Sequence, residues 1–254
     1  MKRTLLLFFA TLIISASLPA QGIKGIFDKV LKKDSSGKSI LDKIKYPLPG
    51  STGGLSNDEI ISGLKEALRV GTDSSSKRLS KIDGFFADAA IKILMPSEAQ
   101  KVEKTLRNLG MGKLVDKAIL SMNRAAEDAA KGVGTIFWNS IKQMSIKDGL
   151  QILRGGDFAA TDYLKKTTTA ELTEKFRPVI STSLAKVDAT KYWKDVFSAY
   201  NRFSNTPVNT DLTAYVTEKA LGGLFFNIGL EEQKIRKNPV ARVTDILKKV
   251  FGAK

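Results

Sequence analysis

The chain has 254 residues, 41 Lys plus Arg against 26 Asp plus Glu for a formal net charge of +15, and neither Cys nor His. Those two zeros exclude a Ser-His-Asp triad, a Cys nucleophile, a zinc site of the usual Cys and His kind and a His-containing di-iron site, which leaves carboxylate-based or Lys-based chemistry. With 43% apolar and 26% charged residues, the composition is that of an ordinary globular protein with a basic surplus.

The chain opens with Lys2 and Arg3, an apolar run from Thr4 to Ile14 and a small-residue stretch from Ser15 to Ala20. That order reads as a signal peptide over residues 1–20, cleaved after Ala20 or Ser17. The run is shorter than the roughly 20 residues of a membrane-spanning helix, and no Cys follows it to carry a lipid. The expected mature protein is therefore exported, to the periplasm or beyond, and soluble after cleavage. Without disulfides it must be held by its core.

Residues 21–55 read as a flexible basic segment. Ile23, Ile26, Phe27, Val30 and Leu31 share one face of a short amphipathic helix, and a Lys-, Gly- and Ser-rich linker with Pro47 and Pro49 follows. Basic surplus gathers at the two ends: seven Lys against three Asp in residues 22–48, and seven Lys plus Arg against three acids in residues 231–254. Ends of this kind favour an anionic lipid or another envelope surface as partner, with simple solubility as the plainer account.

Residues 56–254 read as an all-α, compact multi-helix domain. Ser56 with Glu59 has the spacing of a capping box and opens a helix whose apolar face is Ile60, Ile61, Leu64, Ala67 and Leu68. Ala90 to Leu94 is the one stretch ambiguous between helix and strand. Further stripes follow at helical period in Val102, Leu106 and Leu109, in Leu114, Ile119, Met122 and Ala126, and in Ile136, Phe137, Ile141 and Met144. Ser145 with Asp148 marks another start. Gly155 and Gly156 are expected to close that helix with positive φ, and Asp157 to cap the next. Thr168 with Glu171 predicts a fresh start, followed by Leu172, Phe176, Val179 and Leu184, with a kink at Pro178. The last third offers Tyr192, Val196 and Tyr200, then Leu212, Tyr215, Val216 and Leu221, then Val240, Val243, Leu247 and Val250.

The candidate ligand-binding residues are Arg124, Glu127, Asp157, Asp162, Phe225 and Phe226. Arg124 and Glu127 lie three apart on one helical face, so Arg124 either binds an anion or pairs with Glu127. Asp157 and Asp162 flank a Gly-Gly-Asp turn that can cap a helix, receive an anion or supply an acid and a base. Phe225 and Phe226, among Gly222, Gly223 and Gly229, either fill the core or line a pocket for a hydrophobic ligand. No cofactor and no metal are expected: the only Glu-x-x-Glu spacing of interest, Glu171 with Glu174, has no His to complete a metal-binding pair. Export argues against a nucleic-acid partner.

Several segments carry a resemblance. GLKEALRVGT from Gly63, MNRAAEDAA from Met122, GGDFAATDYL from Gly155, LTEKFRPVI from Leu172, DLTAYVTEKALGGLFF from Asp211 and IRKNPVARVTDILKKVFG from Ile235 occur in this order. Over roughly residues 57–252 the chain resembles the bacterial family catalogued as domain of unknown function 4197. The resemblance implies an exported, all-helical envelope protein of Gram-negative bacteria with no established activity. Residue chemistry then gives a non-enzymatic binding or scaffolding protein of the envelope as the leading expectation. Its rival is a carboxylate-dependent hydrolase of a cell-wall or polysaccharide substrate, using acids among Glu127, Asp157, Asp162 and Glu232; carboxylates consumed by Arg pairs and helix caps would favour binding.

Overall fold

A computed structural model describes residues 56–202 and 210–238, together with Pro207, Val240, Arg242, Asp245, Lys248 and Val250. The signal peptide, the 21–55 segment and Val243 and Leu247 of the C-terminal stripe lie outside the described residues. Among those described there are eight α-helices and no strand: α1 (Asn57–Leu79), α2 (Gln100–Asn108), α3 (Gly112–Ala129), α4 (Gly134–Gln143), α5 (Ile146–Arg154), α6 (Ala159–Ala185), α7 (Ala189–Asn201) and α8 (Leu212–Lys237). A 3-10 turn at Ser97–Ala99 leads into α2, with Pro96 at its cap position.

The two long helices α6 and α8 form the centre. Glu232 near the end of α8 reaches Ala160 at the start of α6, and Asp211 before α8 reaches Arg177 late in α6, so the two run antiparallel. Helix α1 lies against the other side of α8, where Arg78 meets Asn227 and Glu231. Helices α3 and α4 pack on α6; Ser183 of α6 bonds Asp128 of α3, and the hydroxyls of Ser140 in α4 and Thr167 in α6 meet at 2.6 Å. The core between them holds Leu64, Phe85, Met122, Phe137, Leu172 and Phe176, with Phe137 and Phe225 edge to face at 6.2 Å between centroids. Burying side chains of this size contributes about 1.5–3 kcal/mol each, which is the stabilisation a disulfide-free domain relies on.

Both capping boxes at Ser56 and Ser145 are complete, each hydroxyl accepting from the third helical amide and each acid reaching back to the cap amide. Thr168 with Glu171 is not a start. Thr168 is buried in the middle of α6 and gives its hydroxyl to the Leu164 carbonyl, so the hydroxyl-then-acid spacing is spent inside an established helix. Helix α6 also continues through Pro178, which faces solvent; the Glu174 carbonyl that loses its amide partner there belongs to an exposed residue, and Thr182 returns its hydroxyl to the Pro178 carbonyl.

Gly155 and Gly156 close α5 without positive φ. At Gly155 φ is −75°, and the constraint is room: a Cβ there would come within 2.5 Å of the Ala159 Cβ. Leu109 and Val240 fall off the expected apolar faces. Leu109 caps α2 and is 70% exposed, and Val240 is 86% exposed, whereas Val250 is buried as the stripe required. In α7 the buried side chains are Trp193 and Phe197, tilted against one another at 4.4 Å; those of Tyr192, Val196 and Tyr200 are outside the described set.

Candidate functional site

The stretch Ala90–Leu94 explains the residue pattern of α3. Ile91 to Met95 has no regular structure and runs across α3, where the Ile93 amide donates to Asn123 Oδ1 and Asn123 Nδ2 donates to the Ile93 carbonyl. One fully buried amide side chain thus supplies both hydrogen bonds that a neighbouring strand would give. One turn on, Glu127 Oε1 accepts from the Phe85 and Phe86 amides at 3.1 and 3.2 Å, and Arg124 links Glu127 Oε2 to Asp83, both at 2.7 Å. Asp83 holds φ at +67°, a conformation costly for a side-chain-bearing residue. Asn123, Arg124 and Glu127 together pin residues 83–93 along α3. The hydrogen bond from Arg124 to Glu127, then that to Asp83, raises the guanidinium pKa above its ordinary value.

Glu232 performs the same service between helices. Its carboxylate accepts from the Ala160 and Thr161 amides and the Thr161 hydroxyl at 2.8–3.0 Å, capping α6 from across the core. Arg236, one turn further along α8, pairs with Glu232 and donates to the Ile152 carbonyl in the last turn of α5. A negative group therefore meets the start of one helix and a positive group the end of another, each where the backbone leaves such groups unpaired. Asp157, the expected local cap, instead pairs with Lys237 and accepts from Gln233, and the Lys237 bond holds its pKa below the usual carboxylate range. Arg242 completes this end by donating to the Ile235 and Arg236 carbonyls in the last turn of α8.

Two concavities among the described residues contain sequence candidates. The first is an open groove of about 760 Å³ between α6 and α8, which brings Asp162, Phe225 and Phe226 together with Lys165, Arg177 and Glu218. Phe226 is half exposed there, whereas Phe225 is buried and turned to Phe137; Asp162 is exposed and forms no ion pair among the described residues. Glu127 and Asp157 lie outside this groove, so the six sequence candidates do not form one site.

The second is a cleft of about 650 Å³ framed by α2, α3, α7 and the end of α6, a size typical of small-molecule sites. Its wall is apolar: Val102 and Leu106 from α2, Leu114 and Met122 from α3, and Trp193 and Phe197 from α7. Its rim is polar. Lys117, Ser121, Arg124 and Asp128 follow one another at helical spacing along α3, and Ser183 and Lys186 continue the rim onto the end of α6. Lys117 and Lys186 are exposed and form no ion pair within 4 Å among the described residues. Burial would push the Asp128 carboxyl up, but hydrogen bonds from Lys131 and Ser183, with Lys186 close by, hold its pKa below the ordinary value. Of the sequence candidates, only Arg124 belongs to this cleft.

Helix α2 forms one side of the cleft and has no fully buried residue. It is tied to α3 by Arg107, which pairs with Glu103 of α2 and Asp116 of α3, both at 2.9 Å, and by the turn at Gly110. Gly110 has φ +77°, with its amide bonded to the Arg107 carbonyl and the Met111 amide to the Leu106 carbonyl; this paired closure requires the left-handed region at the glycine. The cleft had one signal in the sequence. On α3, Leu114, Ala118 and Met122 make a second apolar row beside Val115, Ile119 and Ala126, wider than a single core-facing stripe needs.

Among the described residues no group of three acids converges to hold a metal ion, and no helix is long and apolar enough to cross a membrane. No curated protein and no solved structure matches the chain. A family model matches residues 54–252, and by that match the chain belongs to the family described as Protein of unknown function (DUF4197).

Proposed function

We propose that this protein is a non-enzymatic binding protein of the Gram-negative cell envelope, exported through its N-terminal leader, and that it holds an apolar ligand in the cleft between α2, α3 and α7. One observation carries the reading: a concavity of ligand size walled by Leu106, Leu114, Met122, Trp193 and Phe197 and closed on one side by a helix with nothing fully buried. The fate of the acids supports it. Glu127 and Glu232 are spent on backbone amides and Arg pairs, and Asp157 on Lys237, which leaves only Asp162 of the four acids open to a hydrolytic role. A hydrolase of the carboxylate kind needs two such groups facing one bond.

Native mass spectrometry of the full-length gene product purified from its own host is the direct test. A non-covalent adduct of small-molecule mass, lost in a Leu106→Arg variant that keeps its helical spectrum, is the expected result. A bare chain from both, under conditions that preserve a known lipid carrier's adduct, would overturn the reading. N-terminal sequencing of the same material is expected to begin near Gln21, and a main species still carrying Met1 would count against export.

A further inference from the structure

The cleft also says what kind of head group its ligand bears. We propose that its ligand is a single-chain acyl amphiphile with a free carboxylate, the chain lying on Trp193 and Phe197 and the head group held at the rim by Lys117 and Lys186. This inference rests on the binding role proposed above and adds the chemical class of the ligand.

Three observations lead to it. The wall and the rim are segregated along α3: Leu114, Ala118 and Met122 form one row and Lys117, Ser121, Arg124 and Asp128 the next, so a molecule lying in the cleft meets an apolar surface with a polar edge. That edge is positive. Its one carboxylate, Asp128, is already bonded by Lys131 and Ser183, and Arg124 is held by Asp83 and Glu127, while Lys117 and Lys186, the latter near Asp128, form no ion pair within 4 Å among the described residues. An unpaired cation on flexible methylenes beside an apolar floor suits a monovalent anionic head with a chain behind it better than a neutral solute or a bulky sugar. The third is the side of the cleft formed by α2, which presents Val102 and Leu106, both only partly buried against the core, and is tied to α3 by the Arg107–Asp116 pair, so this side offers a chain apolar surface that the core leaves incompletely covered.

The protein carries its own reporter. It has two Trp residues; Trp193 lines the cleft and Trp138 is partly exposed on α4 beneath Lys142, so Trp138→Phe leaves a single indole at the proposed chain position. In full-length Trp138→Phe protein, Trp193 fluorescence is titrated with a stearic acid brominated on its chain and with the methyl ester of the same acid, both below their aggregation concentrations. The acid is expected to quench Trp193 saturably and to bind roughly tenfold more tightly than the ester, an advantage two exposed cations can supply. Combining Lys117→Glu with Lys186→Glu is expected to remove that advantage and leave ester binding unchanged; Lys117→Gln with Lys186→Gln is expected to remove most of it without adding repulsion. Acid and ester binding alike in the parent, or an acid preference untouched in both lysine pairs, would overturn the head-group assignment while leaving an apolar binding role in place. Absence of quenching by either compound would overturn both. Trp193 shielded from the acid in a chain that sediments as a dimer would assign the cleft to a second copy and likewise overturn the proposal.

Discussion

Glu232 shows how much a single acid can do without chemistry. Its side chain is 7% exposed and satisfies two amides, one hydroxyl and Arg236 at once. Glu232→Ala would leave the first turn of α6 without acceptors and Arg236 without its counter-charge, a loss of about 3 kcal/mol on the scale of broken buried pairs. Glu232→Gln keeps one acceptor oxygen and is expected to cost roughly half of that. Asp162→Ala, at an exposed acid with no ion pair among the described residues, is expected to stay within about 0.5 kcal/mol. Urea unfolding followed by helical circular dichroism distinguishes the three; a Glu232→Ala protein as stable as the parent would remove the carboxylate from the account of how α6 begins.

At the scale of the helix, α8 depends on where its glycines sit. A Cβ at Gly223 would lie 2.7 Å from the Phe85 ring and 3.2 Å from Ile91, while one at Gly222 would meet nothing within 4 Å. Gly223→Ala is therefore expected to destabilise by about 1–3 kcal/mol through overpacking. Gly222→Ala, on the solvent side of the same turn, is expected to stabilise by up to about 1 kcal/mol, because alanine loses less backbone entropy in a helix. Equal shifts in the unfolding midpoint for the two variants would show that helix propensity alone decides. This pair also marks how far the sequence can be read. Helical period placed Ile60, Leu64, Phe137, Ile141, Leu172 and Phe176 correctly in the core, and the Ser56 and Ser145 boxes located two helix starts, since both signals are local. The Gly155-Gly156-Asp157 turn located the start of α6 to within two residues, but the group that caps it was illegible because it is Glu232, 72 residues away. Ala90–Leu94 was ambiguous for a similar reason: its backbone partner is the side chain of Asn123, which no strand pattern announces. The candidate site fared less well than the fold. A cleft is made by residues that fail to meet: beyond the second apolar row of α3 at Leu114, Ala118 and Met122, the positions of Leu106 and Trp193 along the chain carry no trace of the space left between them.

For the molecule as a whole, pH acts from both sides. Asp128 and Asp211 have pKa values below the ordinary 3.8 in the fold; at Asp211 the Ala214 amide it caps does most of this, with Arg177 adding to it. A group whose folded pKa is depressed contributes stability above its unfolded pKa and loses it as pH falls through the folded value, so the α8 cap and the α3–α6 contact weaken below about pH 4. The same protonation strips 26 acids from a chain with 41 cations, and the resulting self-repulsion adds to the loss. Moderate salt is expected to relieve the repulsion but not restore the caps. At the other end, burial first, then the nearby Glu98 and Glu218, push Tyr215 from 10.0 up to about 12, and its hydroxyl donates to the Leu94 carbonyl at 2.8 Å. Here the folded state favours the protonated form, so the stabilisation is complete below pH 10 and declines as pH rises from 10 through 12. Thermal unfolding across pH 7–12 tests this with Tyr215→Phe. That variant is expected to unfold about 1 kcal/mol more easily at pH 7, having lost one hydrogen bond, and to show a shallower decline above pH 10. Parallel alkaline limbs for the parent and the variant would mean that Tyr215 is not the group whose ionisation loosens the Leu94 segment.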